Sequence, residues 1–356
     1  MNPNMRHFLA RLLDAQGPSG YEGPAAARWR EEAGTFADEV WVDVHGNSFA
    51  AIGPEGSPSI MLAGHIDEIG LMVHYIDDDG YLFVRPVGGW DPPVLVGQRV
   101  EILTRDGPVV GVIGRRAVHL LNPEERDKAV KVKDLWIDIG SASGEEAREK
   151  VSVGDVAVIR SDTVEIGESC LAARSVDDRI GAVVALEALR RAVEKGTQAR
   201  VVAVATTQEE ISVRSGGGAR TSSFGLEPDA AIVVDVTHAT DHPQVDKKEY
   251  GDVRLGSGPV LSRGAVVNEV LFTGLREAAE AAGISIQPLA APSATGTDAD
   301  SIFTSRTGVA TAIVSVANRY MHSPNQLVHV ADVEGTAELI ASYLAGLTPG
   351  QNFIPN

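Results

Sequence analysis

Apolar residues fall into two textures along this chain. Met5–Asp14 carries apolar positions at helical spacing and is closed by Gly17-Pro18-Ser19-Gly20, which predicts a first helix. Pro24–Ala33 reads as a second, with proline at its start where the missing N–H is harmless. Val40–Val44 alternates like a half-buried strand, and Ser59–Ala63 is a short apolar strand ending at Gly64. From about Leu71 to Ile166 the spacing tightens. Runs at Gly70–Tyr75, Tyr81–Pro86, Arg99–Leu103, Pro108–Ile113 and Val156–Arg160 are separated by turns such as Asp79-Gly80, Gly88-Gly89 and Asp106-Gly107. Closely spaced strands with glycine turns predict a compact barrel or sandwich. One helix is expected within it, Ser143–Lys150, begun by a capping box of Ser143 and Glu146.

After Ala173, strand and helix alternate. Ile180–Glu194 is an amphipathic helix, and Arg200–Thr206 and Ala230–Asp235 are strands apolar enough to be buried on both faces. Asn268–Ala282 is helical up to Gly283, Val309–Val316 is a strand, and Asp332–Leu347 is a final helix. This alternation predicts an α/β sandwich with helices packed on a mixed or parallel sheet. The α/β texture stops at Leu71 and resumes near Gly167. Residues 71–166 are therefore expected to be a β-rich segment inserted into one discontinuous α/β domain, residues 1–70 and 167–356.

With 356 residues and 44% hydrophobic content, the chain can bury more than one core. Its net charge of -18 would repel nucleic-acid phosphates and anionic lipid, so neither is an expected partner. Cys170 is the one cysteine, which excludes an intramolecular disulfide and suits a reducing compartment. It sits in Ser169-Cys170-Leu171-Ala172, an apolar strand or loop rather than the setting of a nucleophile. Arg6, Arg11 and Asp14 interrupt Met1–Ala15, and no apolar run of ~20 residues follows, so no signal peptide or membrane span is expected. A cytoplasmic protein is the expectation.

In open α/β sheets, functional groups gather beyond the carboxyl ends of strands. Ser59–Ala63 is followed by Gly64-His65-Ile66-Asp67-Glu68, and Arg200–Thr206 by Thr207-Gln208-Glu209-Glu210. Ala230–Val234 leads to Asp235 and then Thr237-His238, and Val309–Val316 to Asn318-Arg319-Tyr320-Met321-His322-Ser323. Ser175-Val176-Asp177-Asp178 stands just before the helix at Ile180. Imidazole and carboxylate suit zinc or a similar divalent ion. Five such ligands exceed one tetrahedral site but fit two metals sharing a carboxylate. In an adjacent Glu pair, one can bind metal while its neighbour acts as a base on water. Taken singly, an acidic pair reads as solvated surface and a histidine as structural. Their conjunction at strand ends points to a metal hydrolase.

AGHIDEIGLMV (Ala63–Val73), ARSVDDRIG (Ala173–Gly181), TTQEE (Thr206–Glu210), VDVTHATD (Val234–Asp241) and RYMHSP (Arg319–Pro324) resemble segments of the tetrahedral (TET) aminopeptidases. LWIDIGSAS (Leu135–Ser143) and ATGTDADSI (Ala294–Ile302) are similar to further segments of the same family. This is the glutamyl and deblocking aminopeptidase group of the forty-second metallopeptidase family, some of whose members are labelled endoglucanases. The resemblance spans nearly the whole chain in order. It implies a zinc-exopeptidase-like three-layer αβα sandwich with a mixed sheet and a small inserted β-barrel-like dimerisation domain.

The resemblance also implies roles. His65, Asp177 and Asp235 would hold one divalent ion, and Asp177, Glu210 and His322 the other, with zinc first and cobalt or manganese open. Glu209 would be the general base, and Asp67 the carboxylate that orients a ligand or that base. His238 and Asp298 would belong to the pocket wall. His7, His45, His74, His119, His242 and His329 match no ligand position and read as structural. The Asp177–Asp178 peptide is implied to be cis. One stretch departs from the pattern: Ile211–Gly218 reads ISVRSGGG where relatives commonly carry a hydrophobic-Gly-hydrophobic-Arg-Gly-Ala sequence, which leaves substrate preference open.

These features predict an aminopeptidase that hydrolyses residues from peptides with a free N-terminus. Two other classes remain beside it: a related two-metal amidohydrolase such as an N-acyl amino-acid deacylase, or a glycosidase, and a non-enzymatic scaffold with a degraded site. A glycosidase needs one carboxylate kept protonated, at odds with carboxylates committed to cations. The scaffold is disfavoured because no ligand position is vacant. The apolar run containing Tyr81, Phe83, Val84, Trp90, Leu95 and Val96 fills the inserted segment's own core. Its resemblance to the family's dimerisation domain adds self-association, dimers building a hollow homododecamer with interior active sites.

Overall fold

The computed structural model describes residues 3–53, 55–212 and 216–355. Val213, Arg214 and Ser215, part of the departing stretch, lie outside the described residues. Three strands precede the change of texture: β1 (Glu39–Val42), β2 (Ser48–Ile52) and β3 (Ser59–His65). Within it lie β4 (Gly70–Ile76), β5 (Leu82–Val87), β6 (Arg99–Thr104), β7 (Gly107–Gly114), β8 (Trp136–Asp138) and β9 (Val156–Ile159). These close into an antiparallel six-stranded barrel in the order β4-β5-β8-β7-β6-β9. After it come β10 (Val164–Ile166), β11 (Cys170–Ala173), β12 (Arg200–Thr206) and β13 (Ala230–His238). The last are β14 (Val260–Gly264), β15 (Gln287–Ala291), β16 (Ala310–Arg319) and β17 (Gln326–His329).

All strands outside the barrel form one eleven-stranded mixed sheet, ordered β1-β2-β12-β3-β13-β16-β17-β11-β10, with β14 and β15 branching from β16. Its centre, β12-β3-β13-β16, is parallel. Each central strand is buried on both faces, and successive side chains enter opposite cores. Ile60 and Leu62 of β3 join a core built with Leu12, Trp29 and Ile180, whereas Met61 and Ala63 join another with Ala219 and Ile302. Helices therefore cover both faces, which makes the three layers. The barrel has its own apolar interior, including Leu71, Val84, Ile102 and Ile137.

Three details differ from the sequence reading. Val164–Ile166 pairs with β11 at the edge of the large sheet, Val164 opposite Ala172, so the strands of the barrel end at Ile159. Ser143 does cap the helix Gly144–Lys150 by accepting the Glu146 N–H, but the Glu146 carboxylate reaches back to the N–H of Ala142 rather than Ser143. Strands β2, β14, β15 and β17 add to the sheet where no strand was expected. No helix among the described residues is long and apolar enough to cross a membrane.

Candidate metal centre

Register brings the candidate residues together. β12 and β3 run parallel with Thr206 opposite His65, so the Glu209-Glu210 segment emerges beside His65 and Asp67. β13 lies on the other side of β3, with Val233 opposite Ala63, which puts Asp235 near the same level. β16 continues the parallel set, His238 opposite Asn318, and the chain turns from there to His322. The fifth group, Asp177, opens the helix Val176–Lys195, which packs tightly on β3. Gly64 permits that approach: a Cβ there would lie 2.3 Å from the carbonyl carbon of Gly181.

Asp177 stands between the two histidines. Its Oδ1 is 3.1 Å from His65 Nε2, and its Oδ2 is 3.3 Å from His322 Nε2. Glu210 Oε2 is also 3.3 Å from His322 Nε2. Two groups of three donors result, His65–Asp177–Asp235 and Asp177–Glu210–His322, each with its ligand atoms within 4.8 Å of one another. Glu209 belongs to neither; its Oε2 is 3.8 Å from His65 Nε2. Asp67, fully buried, accepts from the Ser19 hydroxyl (2.6 Å) and from the N–H groups of Glu209 and Glu210 (3.1 and 3.2 Å), and lies beside His65 Nδ1.

The donor set fits divalent cations. Glu210 Oε1 is buried and has no hydrogen-bond partner, which is costly for a carboxylate unless a cation takes that place. Burial, reinforced by the neighbouring charge of Asp177, pushes the Asp235 carboxyl well up. Burial likewise pushes Glu209 up to about 10, opposed by His65 and reinforced by Asp235. Hydrogen bonds to Asp177 and Glu210 raise His322 to about 10. Burial would raise Asp177 too, but its bonds to His322 and His65 outweigh that and hold it below the usual carboxylate range. Carboxylates crowded this closely repel one another in their ionised form, and cations seated among them relieve that repulsion.

Comparison with known proteins decides the family. A model of the M42 glutamyl aminopeptidase family matches residues 46–339. The chain belongs to the M42 peptidase family. It is similar to lysyl aminopeptidase of Pyrococcus furiosus, 36% identical over 98% of this chain and 99% of that one. Among solved structures it resembles a TET aminopeptidase from a marine sediment archaeon of the Thaumarchaeota, with a TM-score of 0.91, 35% identity and coverage of 97% and 96%. It also resembles the TET1 peptidase of Pyrococcus horikoshii, described as able to assemble into a tetrahedron or a large octahedral shell. That match has a TM-score of 0.85, 32% identity and coverage of 96% and 100%.

In this M42 chain the donors border a cavity of about 390 Å³, lined also by Gly89, Val236, Thr237, His238, Thr295 and Met321. His238 is thus on its wall, while Asp298 lies in an adjoining cleft with Glu209, accepting from the Thr206 hydroxyl. Sequence reasoning passed over several supports. Asp178 turns from the cavity to accept the N–H groups of His65 (3.2 Å) and Gly181 (3.0 Å); the peptide joining it to Asp177 is cis, as the family resemblance implies. Gln326 Oε1 accepts the Asp177 N–H (3.1 Å), and buried Glu68 pairs with Arg174 and Arg179 at 2.9 and 2.8 Å. Gly89 comes from the barrel, whose part in the wall no ligand-type residue announced. Of the histidines read as structural, His329 caps the final helix by accepting the Ala331 N–H.

Proposed function

We propose that the chain is a two-metal aminopeptidase, with Asp177 shared between a His65–Asp177–Asp235 site and an Asp177–Glu210–His322 site. The observation that carries this reading is the position of Asp177, one carboxylate oxygen toward each histidine, with Glu209 beside both donor groups but outside them. Zinc is the first candidate, and cobalt and manganese suit the same nitrogen and oxygen donors. Bound there, the two ions would lower the pKa of a water toward neutrality and polarise the scissile carbonyl. The Glu209 carboxyl, raised by burial, would fall with cations seated beside it and so serve as the base. Glu209 then takes the proton of the attacking water and delivers it to the leaving amine. Asp67 holds the Glu209 and Glu210 backbone, and Asp178 holds the backbone of His65. The acidic cavity attracts the α-ammonium group of a peptide, which favours a free N-terminus.

The inserted barrel is proposed to mediate self-association. Val110, Val112, Val118 and Leu120 present apolar side chains to solvent on and beside β7. Dimers joined there would build a dodecameric shell like the tetrahedron described for the TET1 relative. A cytoplasmic setting suits such a shell, which would keep folded proteins from the sites. The deciding experiment is hydrolysis of aminoacyl amides and their N-acetylated counterparts by protein reconstituted with each metal. Turnover of the free amides alone, with two ions per chain, is the expected result. Equal turnover of the blocked amides would sink the reading.

A further inference from the structure

Beyond β12, the segment that carries Glu209 and Glu210 belongs to no strand or helix. Four of its consecutive backbone N–H groups are nonetheless accepted, each by a side chain from elsewhere in the chain. Thr207 N–H donates to Asn47 Oδ1 (3.1 Å), Gln208 N–H to Glu22 Oε1 (3.2 Å), Glu209 N–H to Asp67 Oδ1 (3.1 Å) and Glu210 N–H to Asp67 Oδ2 (3.2 Å). All three acceptor residues are buried. At the middle of the run, Gln208 holds φ 60, in the left-handed region that a side chain other than glycine adopts only where its surroundings enforce it. Its N–H is the one that Glu22 takes.

The acceptors are themselves fixed. Glu22 Oε1 also accepts the Gly20 N–H at 2.7 Å, which ties it into the turn before the helix Gly23–Ala33. Asn47 donates from Nδ2 to Asp43 Oδ2 (2.7 Å) and Thr221 Oγ1 (3.0 Å), so its Oδ1 is left facing Thr207, whose hydroxyl donates to it as well (3.2 Å). The helix Gly217–Leu226 closes over this bond through Gly218, where a Cβ would stand 2.0 Å from Asn47 Oδ1 and 2.5 Å from Thr207 N.

We propose that Glu22 and Asn47 are positioning residues, which with Asp67 clamp Thr207–Glu210 so that the Glu209 carboxylate is aimed at the attacking water. This rests on the reading of Glu209 as the base. Glu22 and Asn47 are in neither donor group and grip only Thr207 and Gln208, so they act through the backbone, while Asp67 goes on holding the Glu210 N–H beside its donor group. An orienting hydrogen-bond acceptor is required of Glu22, not a charge.

The test uses the aminoacyl p-nitroanilide that the wild type turns over fastest. Glu22→Ala is expected to lower kcat ~10- to 100-fold with little change in KM or bound metal, because displacing a catalytic group by about 1 Å costs rate on that order. Glu22→Gln keeps an oxygen that accepts the same two N–H groups and is expected to restore most of the rate. In metal-free protein, amide hydrogen exchange across Thr207–Glu210 is expected to quicken in Glu22→Ala and Asn47→Ala and to stay slow in Glu22→Gln. Wild-type kcat in Glu22→Ala, or equal impairment of Glu22→Ala and Glu22→Gln, overturns the proposal; so does a lowered Tm with kcat and exchange unchanged. Should Glu22→Ala fail to fold, Glu22→Met, similar in length but with only a weakly accepting sulfur in place of the oxygens, carries the same expectation. Glu209→Gln assayed alongside separates the two claims: undiminished activity there removes the base assignment, while the exchange measurement decides the clamp on its own.

Discussion

The large sheet and the barrel bury apolar residues with the same alternation, yet they treat charge in opposite ways. At the carboxyl ends of the sheet's central strands, His65, Asp67, Asp177, Asp178 and Asp235 are all buried, although each ionised group there is costly. The barrel interior is apolar, and its unusual feature lies outside, where valines of β7 face solvent. The difference teaches that buried charge and solvent-facing apolar surface belong to separate units of this chain. They meet at the loop after β5, where a Cβ on Gly89 would approach His322 Nδ1 to 3.3 Å.

Substitutions can break that division, and the largest effect belongs to Asp177→Ala. Removing the carboxylate proposed to serve both sites is expected to abolish turnover and to leave both without metal. Metal analysis that still finds two ions per chain would exclude the shared role. Next comes Glu209→Gln, expected to retain both ions and lose ~100- to 10,000-fold in kcat, the usual range for a general base. Near-normal kcat in metal-replete Glu209→Gln protein would reassign the base.

On the barrel, Val110→Asp combined with Val112→Asp should disperse the proposed assembly while kcat on a single aminoacyl amide stays near wild type. Light scattering coupled to gel filtration reads the mass. An unchanged mass would move the interface elsewhere, and lost activity on the small amide would show that the two units are not independent.

The smallest effect concerns pH. Burial raises the Glu22 carboxyl from 4.5 to about 7, against the pull of the Gly20 N–H. A carboxyl raised by folding stabilises fully below its unfolded pKa, and that contribution is lost as pH rises through the folded pKa. Glu22→Gln does not titrate, so its Tm should gain on that of the wild type between pH ~4.5 and ~7 and then run parallel. A constant difference across that window would mean that Glu22 is not under this burial penalty.

The architecture was legible where local signals sufficed. β12 spans Arg200–Thr206, as its apolar run suggests, and the helix Asn268–Ala282 is observed as Glu269–Ala282 with Asn268 as its cap. β2 escaped because Ser48–Ile52 is buried throughout and shows no alternation. β17 escaped because Gln326–His329 becomes a strand only by pairing with β11 and β16. β16 also extends beyond its apolar run, through Asn318 and Arg319, for the same reason. Ligand-type residues at strand ends could be picked out one by one. Glu22 and Asn47 could not, since what marks them is the distant backbone they accept, and in sequence Glu22 falls only between the Gly17–Gly20 helix stop and the helix expected from Pro24.

The way the barrel interrupts the sheet bears on how the chain folds. β3 and β12 are neighbours in the sheet, His65 opposite Thr206, yet the whole barrel lies between them in sequence. Pairing across so long a loop is entropically costly and slows a search that starts from the open chain. Barrel closure sets Leu71 opposite Ala157 and thereby brings the two ends of the insertion together. A barrel formed first from its nearer contacts shortens the effective loop, so the parallel core nucleates across a much smaller gap. Mutations that loosen the barrel interior, such as at Leu82 or Ile137, should then slow refolding by nearly as much as they weaken the finished molecule, a ratio read from refolding rates set against equilibrium unfolding.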